Sequence, residues 1–273
     1  MSWMEFLPYV AALLGTGVVA GFIAGLLGVG GGIVIVPVLF LLFTALGVPE
    51  DVRMHVAVGT SLSTIVFTSL SSIRAHNRKG AVDWDLLRSW APGIVFGVLL
   101  GTALAAFFSG RVLTGFFGVV ALLVAAWMAF SPTHLQLFAG MPRGIVKWLV
   151  TTVIGVISAL MGIGGGTLSV PTMTLSGYPI HRAVGTAAAI GFIIGVPGTL
   201  GMIVGGWGRE GLPPGSLGFV NLLGLALILP ASMLTAPLGA RAAHALPVRW
   251  LKLAFAVFLA VTAIRMIWSV LAG

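Results

Sequence analysis

Cysteine is absent from this 273-residue chain, which excludes disulfides, thiolate metal sites and a cysteine nucleophile. Only six residues are acidic, and charged residues of both signs make up 7% of the sequence. A soluble domain carries about a quarter charged residues, so this chain cannot cover a water-facing surface. No HExxH, GxSxG or P-loop pattern occurs, and no carboxylates are paired for acid–base work. The sequence therefore reads as a non-enzyme with no cofactor and no metal, and ATP has no module through which to drive it. What is present is hydrophobic: 59% of the residues, 39 glycines besides, and a mean hydropathy of +1.14. These describe a polytopic membrane protein whose main partner is the lipid bilayer. The net charge of +8 comes from basic residues too few and too scattered to track a polyanion, so nucleic acid is not a partner. The opening MSWMEFLPYV has no basic region of the kind a signal peptide begins with, and reads as the lead into the first span.

About 20 apolar residues cross the hydrocarbon core as a helix. Segments of that kind lie near 8–27, 56–73, 90–108, 111–130, 145–161, 183–205, 216–236 and 249–271. Two shorter apolar pieces, 33–46 and 167–177, each follow a glycine cluster directly. They fit broken or re-entrant helices, which a bilayer tolerates only where the backbone is buried in protein or lines a cavity. The expected fold is thus all-α: eight full transmembrane helices and two short ones.

Charge placement orients this layout. If each short piece returns the chain to the side it came from, one side collects Arg74, Arg78, Lys79, Arg88, Arg143, Lys147, Arg182, Arg241, Arg249 and Lys252 against Asp83 and Asp85. The other collects Arg53, Arg111, Arg209 and Arg265 against Glu5, Glu50, Asp51 and Glu210, a split of +8 against 0. The positive-inside rule then puts the first side in the cytoplasm and both termini in the periplasm. All eight tryptophans lie near expected helix ends, as membrane-interface anchors do.

The chain also repeats itself. Residues 25–37 read GLLGVGGGIVIVP and residues 159–171 read ALMGIGGGTLSVP, and seven of the thirteen positions match. Downstream, Ala57-Val58-Gly59-Thr60 recurs as Ala183-Val184-Gly185-Thr186, with His55 and His181 two residues ahead. The halves 1–135 and 136–273 each hold four long segments and one short one. Five is odd, so the halves enter the membrane from opposite faces. Inverted repeats of this kind are a transporter architecture, with the site near the midplane where discontinuous helices meet.

Gly30, Gly31 and Gly32 precede the half-helix at Ile33, and Gly164, Gly165 and Gly166 precede the one at Thr167. A helix start leaves four N–H groups unpaired and carries about half an elementary positive charge. Two such starts facing one cavity make an anion cradle without a buried Lys or Arg. The span centres hold essentially no ionisable group, whereas a cation site calls for a buried carboxylate. An anion or a neutral solute is therefore favoured. Thr60, Ser61, Thr186, Thr167 and Ser169 are candidate hydroxyl donors to it, the plainer alternative being back-bonding within their own helices. His55 and His181 are candidates for titration or gating, and Arg182 for drawing anions to the inner mouth.

The two glycine blocks, each ending in Pro37 or Pro171, together with the AVGT blocks and the length, resemble the TauE/SafE sulfite exporter family, also called the 4-toluene sulfonate uptake permeases. The resemblance implies a bacterial inner-membrane secondary carrier for sulfite, organosulfonates or related small sulfur-containing anions. Family members differ in substrate and direction, and a coupling ion, H+ or Na+, is left open. Ile33 and Ile35 stand where the second copy has Thr167 and Ser169, so the second half is expected to supply more of the polar lining. A passive anion channel and a non-transporting membrane partner protein are the alternatives.

Overall fold

The computed structural model describes residues 3–27, 32–130, 140–245 and 248–272, which form ten α-helices and one two-stranded hairpin. In chain order they are α1 Trp3–Leu27, α2 Gly32–Ala45, α3 Glu50–Asn77, α4 Trp84–Phe107, α5 Gly110–Phe130, α6 Gly144–Met161, α7 Gly166–Leu175 and α8 Ile180–Gly205. The hairpin strands β1 Ser216–Leu217 and β2 Val220–Asn221 follow, and then α9 Leu222–Ala245 and α10 Val248–Ala272. Among the described residues, seven helices are long and apolar enough to cross a membrane. The two helices that follow the glycine blocks have 14 and 10 residues, about 21 and 15 Å at 1.5 Å per residue, too short to span. The chain is an all-α polytopic membrane protein. The border between the two expected halves, at residues 135 and 136, lies outside the described residues.

Helix α3 is the centre of the molecule. Every residue from Met54 to Ile65 is buried, which a helix achieves only when it is surrounded on all sides. It packs along α8, α2 lies on α3, and α7 lies on α8. Outside this group α1 packs on α9, α4 on α6 and α5 on α10. The α4–α6 contact is backbone-close: a Cβ on Gly97 would sit 2.1 Å from the Thr152 carbonyl oxygen, and one on Gly155 2.3 Å from that of Ile94. Small residues are what allow helices to associate in lipid, where no hydrophobic force draws them together. Phe96, Leu99, Leu123, Val153 and Leu200 point outward, each more than half exposed, as lipid-facing side chains do.

Three features differ from the sequence reading. Helices α3 and α4 each begin six residues before the expected apolar start. Their first turns carry Glu50, Asp51, Trp84 and Asp85, which suit a helix N-terminus but fall outside a hydropathy window. The apolar stretch from 216 opens with the hairpin, and its helix starts only at Leu222. Trp90 is 1% exposed and belongs to the core, whereas Trp84, Trp127, Trp148, Trp207 and Trp268 are exposed as interfacial anchors would be.

Charged side chains gather at two ends. Arg111 pairs with Glu50 at 3.0 Å, and Arg209 lies beside the α4–α5 corner. At the other end Arg182 meets Asp83, and Lys147 donates to Ser89.

Candidate functional site

The start of α2 and the end of α6 meet beside α3. Helix α6 ends at Gly162, whose φ of +65° is left-handed, the conformation that favours glycine as a helix stop. A Cβ on Gly32, the first residue of α2, would lie 2.7 Å from the Gly162 carbonyl oxygen and 2.9 Å from Ile65. Ser61 Oγ donates to that same carbonyl at 2.7 Å, with the Gly32 carbonyl 3.5 Å away. A Cβ on Gly164 would lie 3.5 Å from Ile65, and Gly165 presses on α8, where a Cβ would meet the Ala187 carbonyl oxygen at 2.6 Å and the Gly191 nitrogen at 2.8 Å. Gly166 opens α7. Gly30 and Gly31 lie outside the described residues. The start of α2, Ser61, the end of α6 and the start of α7 are thus brought together at the buried heart of the protein.

Polar groups there are unevenly distributed. Thr167 Oγ1 and Ser169 Oγ, on the first turn of α7, are buried and find no partner among the described residues. Ser158 Oγ, on the last turn of α6, is in the same position. In the register of the glycine repeat these three positions correspond to Ala24, Ile33 and Ile35 of the first copy. Identity between the two copies does not mark Ser158; its mismatch with Ala24 does. Burying a hydroxyl unpaired costs about 1–3 kcal/mol, and a core under selection for stability alone would place an apolar side chain at these positions.

Thr60 and Thr186 sit elsewhere. The Thr60 hydroxyl accepts the backbone N–H of Asn221 at 2.9 Å, and the Thr186 hydroxyl that of Asp83 at 3.0 Å. Asn221 and Asp83 precede α9 and α4, and each side-chain oxygen accepts an N–H three residues on, from Gly224 at 2.6 Å and Leu86 at 3.0 Å. Within the same blocks Gly59 lets the Phe219 carbonyl approach, and Gly185 that of Ala81. Each AVGT block is therefore a seat for the capped start of a long helix from the other half, and the two seats lie at opposite ends.

His181 is exposed at the start of α8, while His55 is 3% exposed inside α3, so the shared motif places the two differently. Arg182 joins a polar cluster with Asp83 and Tyr178. Asp83 Oδ2 accepts from the Tyr178 hydroxyl and, at 3.0 Å, from Arg182, whose guanidinium also lies 5.5 Å from the Tyr178 ring centre. The Leu86 N–H, the Tyr178 hydroxyl and Arg182 hold the Asp83 carboxyl below the usual carboxylate range. Burial and the Asp83 contact push the Tyr178 hydroxyl up to about 12, so it keeps its proton and donates. A carboxyl lowered on folding contributes stability above its unfolded value of about 4, and that contribution is lost as pH falls through the folded one. The unfolding temperature in detergent should therefore fall in acid below about pH 4, and Asp83→Asn should flatten that acid limb. Equal acid sensitivity of the two proteins would show that the cluster contributes nothing.

Comparison with known proteins accords with this architecture. The family model for the sulfite exporter TauE/SafE matches residues 13–266. The chain belongs to the TauE/SafE sulfite exporter family. A Haemophilus influenzae protein named "Probable membrane transporter protein" is 36% identical over 258 residues, covering 94% of this chain and 98% of the relative. A Bacillus subtilis relative, "Probable membrane transporter protein YunE", is 32% identical, covering 70% of this chain and 77% of its own length. One from Methanocaldococcus jannaschii, "Probable membrane transporter protein MJ0441", is 30% identical, covering 68% and 69%. No solved structure matches the chain. The protein is a multi-pass membrane transporter.

Proposed function

We propose that the protein is a secondary carrier that moves sulfite, an organosulfonate or a related small sulfur-containing anion across the bacterial cytoplasmic membrane by alternating access. The observation that carries this reading is the start of α7, where Thr167 and Ser169 hold buried hydroxyls without partners beside the Gly162 break. Four first-turn N–H groups and two hydroxyls offer an oxyanion neutral donors, at the end of the helix dipole that favours negative charge. Membrane depth also makes neutral donors the less costly choice, because a Lys or Arg there carries its own insertion penalty.

The contacts between helices support two inverted halves. In the repeat, α1–α5 correspond to α6–α10, so α1 on α9 and α4 on α6 are counterpart contacts, as are α2 on α3 and α7 on α8. The two AVGT seats, one at each end, are counterparts as well. Rocking one half against the other loads one seat while relieving its opposite number, which is how a carrier of this architecture alternates. The charge split supports a cytoplasmic basic end and periplasmic termini.

Sulfite flux into proteoliposomes tests the reading. Uptake should saturate with external sulfite and should accelerate when the vesicles are preloaded with it. Flux that rises linearly without exchange overturns the carrier in favour of a pore, and the absence of flux for sulfite, thiosulfate and sulfonates overturns transport of sulfur anions altogether.

A further inference from the structure

At the end of the molecule opposite the Asp83 cluster, a cavity of about 290 Å³ opens between the start of α3, the α4–α5 corner and the turn after α8. Asp51, His55, Phe108, Ser109, Arg209 and Phe219 line it. His55 is held rigidly in its wall. Its Nε2 lies 2.9 Å from the Ala105 carbonyl oxygen, and its ring stacks on Phe219 with centroids 4.7 Å apart. A carbonyl oxygen only accepts, so Nε2 carries a proton and donates. Nδ1 is then a lone pair in the neutral ring and an N–H donor in the charged one. It is buried and makes no hydrogen bond of ordinary geometry among the described residues, with the Asp51 and Phe108 backbone close to the ring. Arg209 reaches the Ala106 carbonyl only at 3.5 Å, and no carboxylate pairs with it among the described residues.

The charges facing His55 are few. Asp51 comes from its own helix and Arg209 from the turn after α8, while the α4–α5 corner and the hairpin present Phe108, Ser109 and Phe219. Glu50 and Arg111, close by, neutralise each other. With His55 neutral, Asp51 and Arg209 cancel, and the cavity has no net charge to offer an anion. One proton on Nδ1 makes it +1, the charge that a bound monoanion balances.

We propose that this cavity is an anion site that takes up a small monovalent oxyanion together with a proton, Arg209 binding the anion and His55 Nδ1 the proton. Anion and proton then favour each other's binding, as linkage requires, and the coupling ion of the carrier is H+. The proposal rests on the carrier reading above. It places a loading site at the mouth, apart from the hydroxyl-lined start of α7.

Methanesulfonate tests it, because its charge does not change between about pH 5 and 8, well above the acid range of a sulfonate. Binding to the purified full-length protein is measured by titration calorimetry across that range, in buffers of different ionisation enthalpy. Affinity should rise toward tenfold for each unit of pH lowered, with proton uptake approaching one per anion at the alkaline end. His55→Gln, which keeps a donor toward the Ala105 carbonyl, should remove the pH dependence. Arg209→Gln, at an exposed position that folding tolerates, should weaken binding about tenfold or more at every pH. Binding by the unaltered protein that is independent of pH and takes up no proton overturns the proposal, as does Arg209→Gln with full affinity. If the protein carries sulfite in proteoliposomes yet binds methanesulfonate at no pH, the mouth site fails and the carrier reading stands. If sulfite flux is also absent, the carrier reading fails with it.

Discussion

Replacing Thr167 with Val and Ser169 with Ala together will cut sulfite transport by about a hundredfold or more and leave the folded protein as stable as before, or more so. The two halves of this expectation have one cause. A hydrogen bond to a charged group contributes about 1.5–3 kcal/mol, and 1.4 kcal/mol is tenfold in an equilibrium constant. Two such donors together contribute about 3–6 kcal/mol, so losing both weakens anion binding about a hundredfold or more. Among the described residues the same hydroxyls bond to nothing, so removing them also removes a desolvation cost of about 1–3 kcal/mol each. A site held in reserve for a ligand shows this opposition of function and stability; a structural hydrogen bond shows the reverse. Proteoliposome uptake and the thermal unfolding midpoint of the double variant decide between them. Full transport with raised stability removes the hydroxyls from the site, and loss of both shows that they support the fold. Gly165→Val is a weaker test, because its side chain would collide with the backbone of Ala187 and Gly191 and disturb α8 whatever the ligand does.

The helices were legible because lipid imposes length and apolarity on each of them, and both are written locally. The short α2 and α7 were legible for the same reason, since a glycine triplet interrupts each apolar stretch and leaves a piece too short to span. Partners far apart in the chain were not. Thr60 reads in sequence as a hydroxyl near a glycine motif, equally suited to a ligand or to its own helix. Its actual partner, the N–H of Asn221, is 161 residues away and belongs to a hairpin that resembles the start of an apolar span. His55 and His181 carry identical local signals, yet one is wrapped by the α4–α5 corner and Phe219 while the other meets solvent. Those surroundings are set by packing between the halves, and packing partners are what a repeat motif alone does not specify.

The AVGT seats supply the second large effect. Gly59→Ala and Gly185→Ala will each destabilise the protein by about 1–3 kcal/mol, the usual result of forcing extra volume into a packed core, although Ala is the better helix former by about 1 kcal/mol. At Gly59 the added Cβ would stand 2.3 Å from the Phe219 carbonyl oxygen, and at Gly185 2.5 Å from that of Ala81. In both cases the obstacle is backbone, which cannot rotate aside as a side chain tip does. Relief comes only by lifting the start of α9 or of α4, which also pulls Asn221 from Thr60 or Asp83 from Thr186. Gly15→Ala in α1 is the control, since nothing lies within 4 Å of its added Cβ; it should stabilise by up to about 1 kcal/mol. Thermal unfolding of the three variants in one detergent separates the terms. Destabilisation by Gly59→Ala and Gly185→Ala against stabilisation by Gly15→Ala assigns the effect to the seats, whereas stabilisation by all three would mean that the seats yield freely and do not fix α4 and α9. Because the seats hold opposite ends, side-resolved flux adds a second readout. Loosening the Gly59 seat should change substrate affinity on the end bearing Arg209, and loosening the Gly185 seat on the end bearing Asp83. A merely destabilised carrier would lose activity equally from both sides.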